Sequence, residues 1–307
     1  MRNRVKKLLA AAIAFLLLTV GCARAVNPGN GKNPVPGDRK VLNIVTSFYP
    51  VYIAVINVTR DVPGVEVTNM TGPQEGCLHD YALKPEDLKI IGEADVLVIN
   101  GAGMEAFLDG VIKQQKNIRV IEASEGIPLL KDENGEENPH VWVSVTNMID
   151  YVGNIARRLS EADPENADLY RENARVYKAK LEKLREEMHK TLGNLRSRDI
   201  VTFHEAFPYF AKEFDLNVVA VVESGHDSEP TPRELAELIE NIRKSGVKAL
   251  FTEPQYSSGV VETIARETGA KVYTLDPVVS GEASPEAYDE YIEVMRRNML
   301  TLLEALG

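Results

Sequence analysis

Cysteine is nearly absent: the chain has two, Cys22 and Cys77, in 307 residues. Cys22 closes a leader segment, so Cys77 alone is left for ordinary thiol chemistry and no intramolecular disulfide is available. Stability must then come from the core. Positive charge is also short. The formal net charge is −11, and removing a leader with four positive charges and no acids takes it to −15. That balance argues against nucleic acid as a partner, suits a soluble exported protein and mildly favours cations near the surface. The apolar run Leu8–Val20 is too short to span a bilayer comfortably, which takes about 20 residues. Neither a Gly-x-Ser-x-Gly elbow nor a His-Glu-x-x-His helix occurs, so the common motifs of hydrolysis are missing.

The N-terminus reads as a targeting segment. Arg2, Arg4, Lys6 and Lys7 precede the apolar run, which ends at Thr19-Val20-Gly21-Cys22. A small residue just before a cysteine resembles a bacterial lipoprotein cleavage site, at which Cys22 is lipidated and becomes the first residue. Ordinary secretory cleavage near Ala23–Ala25 and an uncleaved anchor are the other readings. Residues 23–40 are rich in Gly, Pro and Asn and read as a flexible tether.

Beyond the tether, short apolar segments alternate with helical patterns. Val41–Ser47, Val65–Asn69, Asp95–Asn100 and Arg119–Glu122 are strand candidates in a first half, and Asp199–Phe203, Asn217–Val222, Ala249–Thr252 and Lys271–Leu275 in a second. Helical patterns cover Val51–Arg60, Pro85–Gly92, Met104–Lys113, Ala206–Phe214, Pro232–Lys244, Val260–Thr268 and Pro285–Leu306, with another starting near Val145. Such alternation predicts parallel sheets covered on both faces. Asp163-Pro164-Glu165 is a helix start, and an apolar pattern continues to about Leu192. The expected fold is α/β, with two lobes, each a mainly parallel four-stranded sheet flanked by helices, joined by one long rigid backbone helix. The expected boundaries are signal 1–22, tether 23–40, N-terminal lobe 41–162, linking helix 163–193 and C-terminal lobe 194–307.

Histidine is scarce but placed with purpose. Of five, His79, His140 and His204 lie in three well-separated loops, each after a predicted strand. Asp276 follows the last strand directly. In open parallel sheets ligands collect beyond the carboxyl ends of the strands, so two candidates from each half can meet in one cleft. Three imidazoles and a carboxylate make a complete tetrahedral shell for Zn²⁺, and a closed shell suggests capture rather than chemistry. Each residue also has a plainer reading. A loop histidine is commonly a hydrogen-bonded surface group, and Asp276 before Pro277 a turn residue. His189 suits a helix C-terminus, and His226 fringes the candidate cleft. Glu253, at a strand end, supports a ligand histidine or competes as a fourth ligand. Cys77, two residues from His79, is a soft ligand by type but reads more plainly as a small, partly buried apolar residue. The acidic run Asp132–Asn138 is a solvated loop or a lure for cations.

Seven segments together carry a family resemblance. They are His-Asp-Tyr-Ala-Leu-Lys-Pro-Glu-Asp-Leu from His79, Ala-Asp-Val-Leu-Val-Ile-Asn-Gly-Ala-Gly-Met-Glu from Ala94, and Asn-Pro-His-Val-Trp around His140. Then come Phe-His-Glu-Ala-Phe-Pro-Tyr-Phe around His204, Glu-Pro-Thr-Pro from Glu229, Phe-Thr-Glu-Pro-Gln-Tyr-Ser-Ser from Phe251 and Leu-Asp-Pro-Val around Asp276. In this order they resemble the zinc/manganese solute-binding lipoproteins of bacterial ABC importers. The resemblance implies two lobes on one backbone helix, metal between them, and His79, His140, His204 and Asp276 as ligands. It further implies an extracytoplasmic, lipid-anchored, monomeric receptor that delivers metal to a permease driven by a cytoplasmic ATPase. Manganese members commonly place a carboxylate where His204 stands, so the imidazole here points to Zn²⁺, with Mn²⁺ as the alternative and Glu205 as the residue that would supply the carboxylate. Gly76-Cys77-Leu78 departs from the more usual Asp-Pro before the first histidine. Two readings lie outside this one. A zinc-dependent hydrolase would use an open metal position with Glu205 or Glu253 as base, and a surface adhesin would use the fold for cell adhesion.

Overall fold

The computed structural model describes residues 41–73, 76–79, 81–115, 117–131, 135–223, 230–255 and 259–307. The expectations for the signal, for Cys22 and the tether, for His226 and for Asp132–Asn134 lie outside the described residues. Two four-stranded sheets organise the rest. The first contains β1 (Leu42–Thr46), β2 (Val65–Asn69), β3 (Val96–Ile99) and β4 (Arg119–Glu122); the second contains β5 (Asp199–Thr202), β6 (Asn217–Val221), β7 (Ala249–Thr252) and β8 (Lys271–Thr274). Their orders are β2-β1-β3-β4 and β6-β5-β7-β8, with every pairing parallel. The two sheets thus repeat one topology, although no short sequence repeat announces it. The central strand β3, Val-Leu-Val-Ile, is buried throughout, as a parallel strand covered on both faces requires.

The covering helices are α1 (Tyr49–Val58), α2 (Pro85–Gly92), α3 (Asp109–Gln114), α4 (Val145–Ala162), α5 (Ala167–Leu192), α6 (Pro208–Glu213), α7 (Pro232–Ser245), α8 (Gly259–Thr268) and α9 (Glu290–Leu306). Several starts follow directly from sequence. Ser144 caps α4 by accepting from the Asn147 amide, and Thr231 and Glu234 form a reciprocal capping box on α7. The expected single helix from Asp163 is divided. Pro164–Asn166 forms a 3₁₀ turn and α5 follows with 26 residues, or about 39 Å of helix. Its buried face (Tyr170, Ala174, Tyr177, Leu181, Leu184, Met188 and Leu192) packs against α1, α4 and α9, so one helix backs both sheets. The last helix starts at Glu290 rather than Pro285. Among the described residues, no helix is long and apolar enough to cross a membrane.

Buried polar bonds stitch the halves together. Trp142, fully buried, donates from Nε1 to the Pro277 carbonyl at 2.8 Å, and the Tyr291 hydroxyl donates to the Trp142 carbonyl at 2.8 Å. The Tyr209 hydroxyl donates to the Asn138 carbonyl at 2.7 Å and accepts from the Leu130 amide at 2.9 Å. Gly281 donates its amide to the Pro73 carbonyl at 3.0 Å, and a Cβ there would lie 2.4 Å from the ring of Tyr49. That approach leaves room only for glycine.

In each sheet the strand order reverses between the two middle strands, the place where ligands collect in this topology. In the first sheet Glu105 ties that point together. Its Oε1 accepts from the Ser47 hydroxyl and the Asn100 amide, both at 2.8 Å, and its Oε2 from the Gly101 amide at 3.0 Å. Asn100 in turn donates from Nδ2 to the Pro139 carbonyl at 3.0 Å, which fixes the loop leading into His140. Burial raises the Glu105 carboxyl from 4.5 to about 7, against three bonds that favour the anion. The folded state therefore binds this proton more tightly than the unfolded state, and stability declines as pH rises through that window, by about 3 kcal/mol at most. Chemical denaturation from pH 4.5 to about 7 should show this decline in the parent protein and a flatter profile in Glu105→Gln.

Candidate metal centre

Three loops deliver the centre. His79 and Cys77 lie between β2 and α2, His140 immediately precedes the 3₁₀ turn Val141–Val143, and His204 follows β5. One donor atom from each of Cys77, His79, His140 and His204 lies within 4.8 Å of all the others. The Nε2 atoms of His79 and His140 are 3.3 Å apart, and the Cys77 sulfur is 3.0 Å from the same His140 nitrogen. Ring centroids are separated by 5.1 Å for His79 and His140, 4.9 Å for His140 and His204, and 6.3 Å for His79 and His204. With zinc–nitrogen bonds of about 2.0–2.1 Å, two nitrogens of a tetrahedral shell stand about 3.3–3.4 Å apart. The His79–His140 separation already has that value.

Two neighbours orient the rings. The Oδ1 of Asn138 accepts from the His140 backbone amide at 3.0 Å and lies 3.0 Å from its Nδ1. A backbone amide can only donate, so the facing atom is oxygen and the Nδ1 of His140 must carry the hydrogen. That leaves the Nε2 lone pair aimed at the cluster. Asn138 also donates from Nδ2 to the Glu205 carbonyl at 2.9 Å, so one amide joins the loops of His140 and His204. On the other side, the Nδ1 of His204 donates to the Glu253 Oε1 at 2.9 Å, and Gln255 donates to the Glu253 Oε2 at 2.7 Å. A carboxylate behind an imidazole is the arrangement that fixes a ligand ring and raises its basicity. Glu253 directly follows β7, which lies beside β5 in the second sheet.

Electrostatics follow from crowding and burial. His140 is 1% exposed, and burial, then His204 and His79, hold its imidazole well below the usual histidine value. Burial would lower His204 too, but the Glu253 carboxylate, with Cys77 beside it, raises the ring to about 10. Burial pushes the Cys77 thiol up, against a hydrogen bond with His204. Two soft-to-borderline nitrogens, a third backed by a carboxylate, and a sulfur are a donor set suited to zinc.

Asp276 lies outside this group of four. It is half-buried after β8. Its Oδ1 accepts from the Val278 amide at 2.7 Å, and its own amide donates to the Asn298 Oδ1 at 2.9 Å. Burial raises its carboxyl above the usual range. Glu205 contributes its backbone carbonyl to Asn138 and is likewise outside the group. Asn138 was not singled out from sequence. A signal exists, since asparagine two residues before a histidine can accept from its amide in an Asx turn, but Asn-Pro reads first as simple turn chemistry.

The chain has known relatives. A family model described as zinc-uptake complex component A, periplasmic, matches residues 44–305. The chain is 30% identical over 312 aligned positions to the high-affinity zinc uptake system protein ZnuA of Bacillus subtilis (strain 168), covering 95% of each. The solute-binding protein FpvC from Pseudomonas aeruginosa, solved in complex with Mn²⁺, superposes with a TM-score of 0.79 at 36% identity, over 87% of this chain and 98% of that one. The laminin-binding protein Lmb of Streptococcus agalactiae, described as bifunctional with adhesin and metal transporting activity, superposes at 0.77 with 30% identity, over 87% of this chain and 100% of that one. If Glu253 supports a metal ligand, Glu253→Gln should weaken zinc binding by roughly 10- to 100-fold with the circular dichroism spectrum unchanged. Competition titration against a zinc-sensitive dye measures this, and an unaltered affinity would leave Glu253 a purely structural partner of His204.

Proposed function

The chain belongs to the zinc-uptake complex component A family, and from that membership and the donor geometry we propose an extracytoplasmic receptor that captures Zn²⁺ between its two α/β halves. It passes the ion to the membrane permease of an ABC importer, driven by a cytoplasmic ATPase. The observation that carries this reading is the convergence of three imidazoles from three distant loops on one point, with His140 buried and the other two half-buried. His79, His140 and His204 are the nitrogen donors of the proposal, and Asp276 is the carboxylate that completes the set from beyond β8. Anchoring through a lipidated Cys22 and action as a monomer belong to the same proposal.

Capture needs deprotonated imidazole nitrogens, so the proton that Glu253 favours on His204 must leave as the ion arrives. Asn138 holds the His140 ring with Nε2 inward, and Glu253 orients the His204 ring from Nδ1, so little rotamer entropy remains to be lost on binding. Protons and the ion compete for these nitrogens, so acid weakens binding and favours release. A site rich in imidazole binds zinc more tightly than manganese, in keeping with the Irving–Williams order. Manganese-bound relatives make Mn²⁺ the competitor to measure against.

Surface adhesion is the second reading, supported by the likeness to Lmb. A deletion strain that adheres less but takes up zinc normally would select it.

His140→Ala should lose most zinc affinity in calorimetry while keeping its fold, because it removes the most buried of the three rings. Zinc at 100 times its dissociation constant should stabilise the parent protein by about 2.7 kcal/mol, read as a rise in melting temperature that His140→Ala lacks. Zinc affinity unchanged in that variant would remove His140 from the site.

A further inference from the structure

Resting on the capture reading, we propose that Cys77 is itself a zinc ligand, binding as thiolate alongside His79, His140 and His204, and that this sulfur sets the preference for zinc over manganese. The donor set becomes three nitrogens and one sulfur, and the Asp276 carboxylate is left as a weaker, exchangeable fifth contact.

The geometry separates the two candidates for the fourth position. The Cys77 sulfur belongs to the group of donor atoms within 4.8 Å of one another, and Asp276 does not. The sulfur lies 3.0 Å from the His140 Nε2 and is also hydrogen-bonded to His204. Since the Nδ1 of His140 donates to Asn138, its Nε2 is an acceptor, and the sulfur faces the nitrogen with which it would share the metal. A tetrahedral zinc with bonds of about 2.3 Å to sulfur and 2.0–2.1 Å to nitrogen places those atoms about 3.6 Å apart. The sulfur need only withdraw by about half an ångström to admit the ion. Asp276, by contrast, is engaged in its own turn. Its carboxylate accepts from the Val278 amide, and its backbone is clasped on both sides by Asn298, whose Nδ2 donates to the Asp276 carbonyl at 2.8 Å.

Packing alone does not account for the position. Cys77 packs against the main core, as a small apolar residue would, but its sulfur also meets imidazole nitrogens. On binding, the sulfur–hydrogen bond breaks, the electron pair stays on sulfur and forms the bond to Zn²⁺, and the proton leaves to solvent. Thiolate favours zinc strongly over manganese, which prefers oxygen.

Cobalt(II) is the probe, because sulfur bound to it gives a charge-transfer band in the near ultraviolet, separate from the visible bands of tetrahedral cobalt. The full chain, stripped with chelator, should show both on titration with Co²⁺. Cys77→Ser and Cys77→Ala should each lose the near-ultraviolet band and keep the visible ones. The ratio of zinc to manganese affinity should fall by about tenfold or more in both cysteine variants. Having two substitutions guards against one that misfolds, and circular dichroism identifies it. Visible bands without the charge-transfer band in the parent protein, or a band that survives both substitutions, would overturn the role of Cys77 and leave the capture reading standing. A parent protein that binds neither Co²⁺ nor Zn²⁺ would overturn both.

Discussion

Crowding imidazoles into a water-poor point is unfavourable, and most of the surrounding structure exists to enforce it. Nothing in the rings themselves would bring the His79 and His140 nitrogens to 3.3 Å. Asn138 and Glu253 hold the outer nitrogens, and those two are held in turn by Tyr209 and Gln255. The chain of support continues through Asn100 to Glu105, and so to the ends of β1 and β3. A divalent ion is the ligand that would bind these donors together, since it replaces their contacts with one another by shared bonds to the metal.

The twin sheets explain why the support reaches so far. Both place the reversal of strand order between the two middle strands. In the first sheet the polar cluster at that reversal is structural, built on Glu105. In the second it is part of the centre, because β5 leads into His204 and β7 into Glu253. One topology thus serves twice, once as a brace and once as a bearing for donor groups.

Much of this was legible in the sequence. Val65–Asn69, Arg119–Glu122 and Ala249–Thr252 were expected as strands and occur with those bounds, because short apolar runs between turn residues leave few alternatives. The placing of histidines after strands was also legible, since the carboxyl ends of a parallel sheet define where loops can meet. Less legible were features that depend on side-chain direction. Cys77 could be read as filler or as a donor, and only the approach of its sulfur to His140 distinguishes them. Asn138 acts through an amide whose partner is two residues away, too ordinary a pattern to stand out. The 3₁₀ turn at Pro164–Asn166 was hidden because proline fits the start of either helix type.

Position 281 bears on the centre from a distance. The loop that leads to Cys77 and His79 belongs by sequence to the first sheet, yet at Pro73 it hangs from Gly281 of the second half. The Tyr49 ring, lying where a side chain would begin, acts as a gauge for how closely the two halves approach. A side chain at position 281 would have to displace that ring or its own loop, and would so strain the bond that holds Pro73 four residues before Cys77.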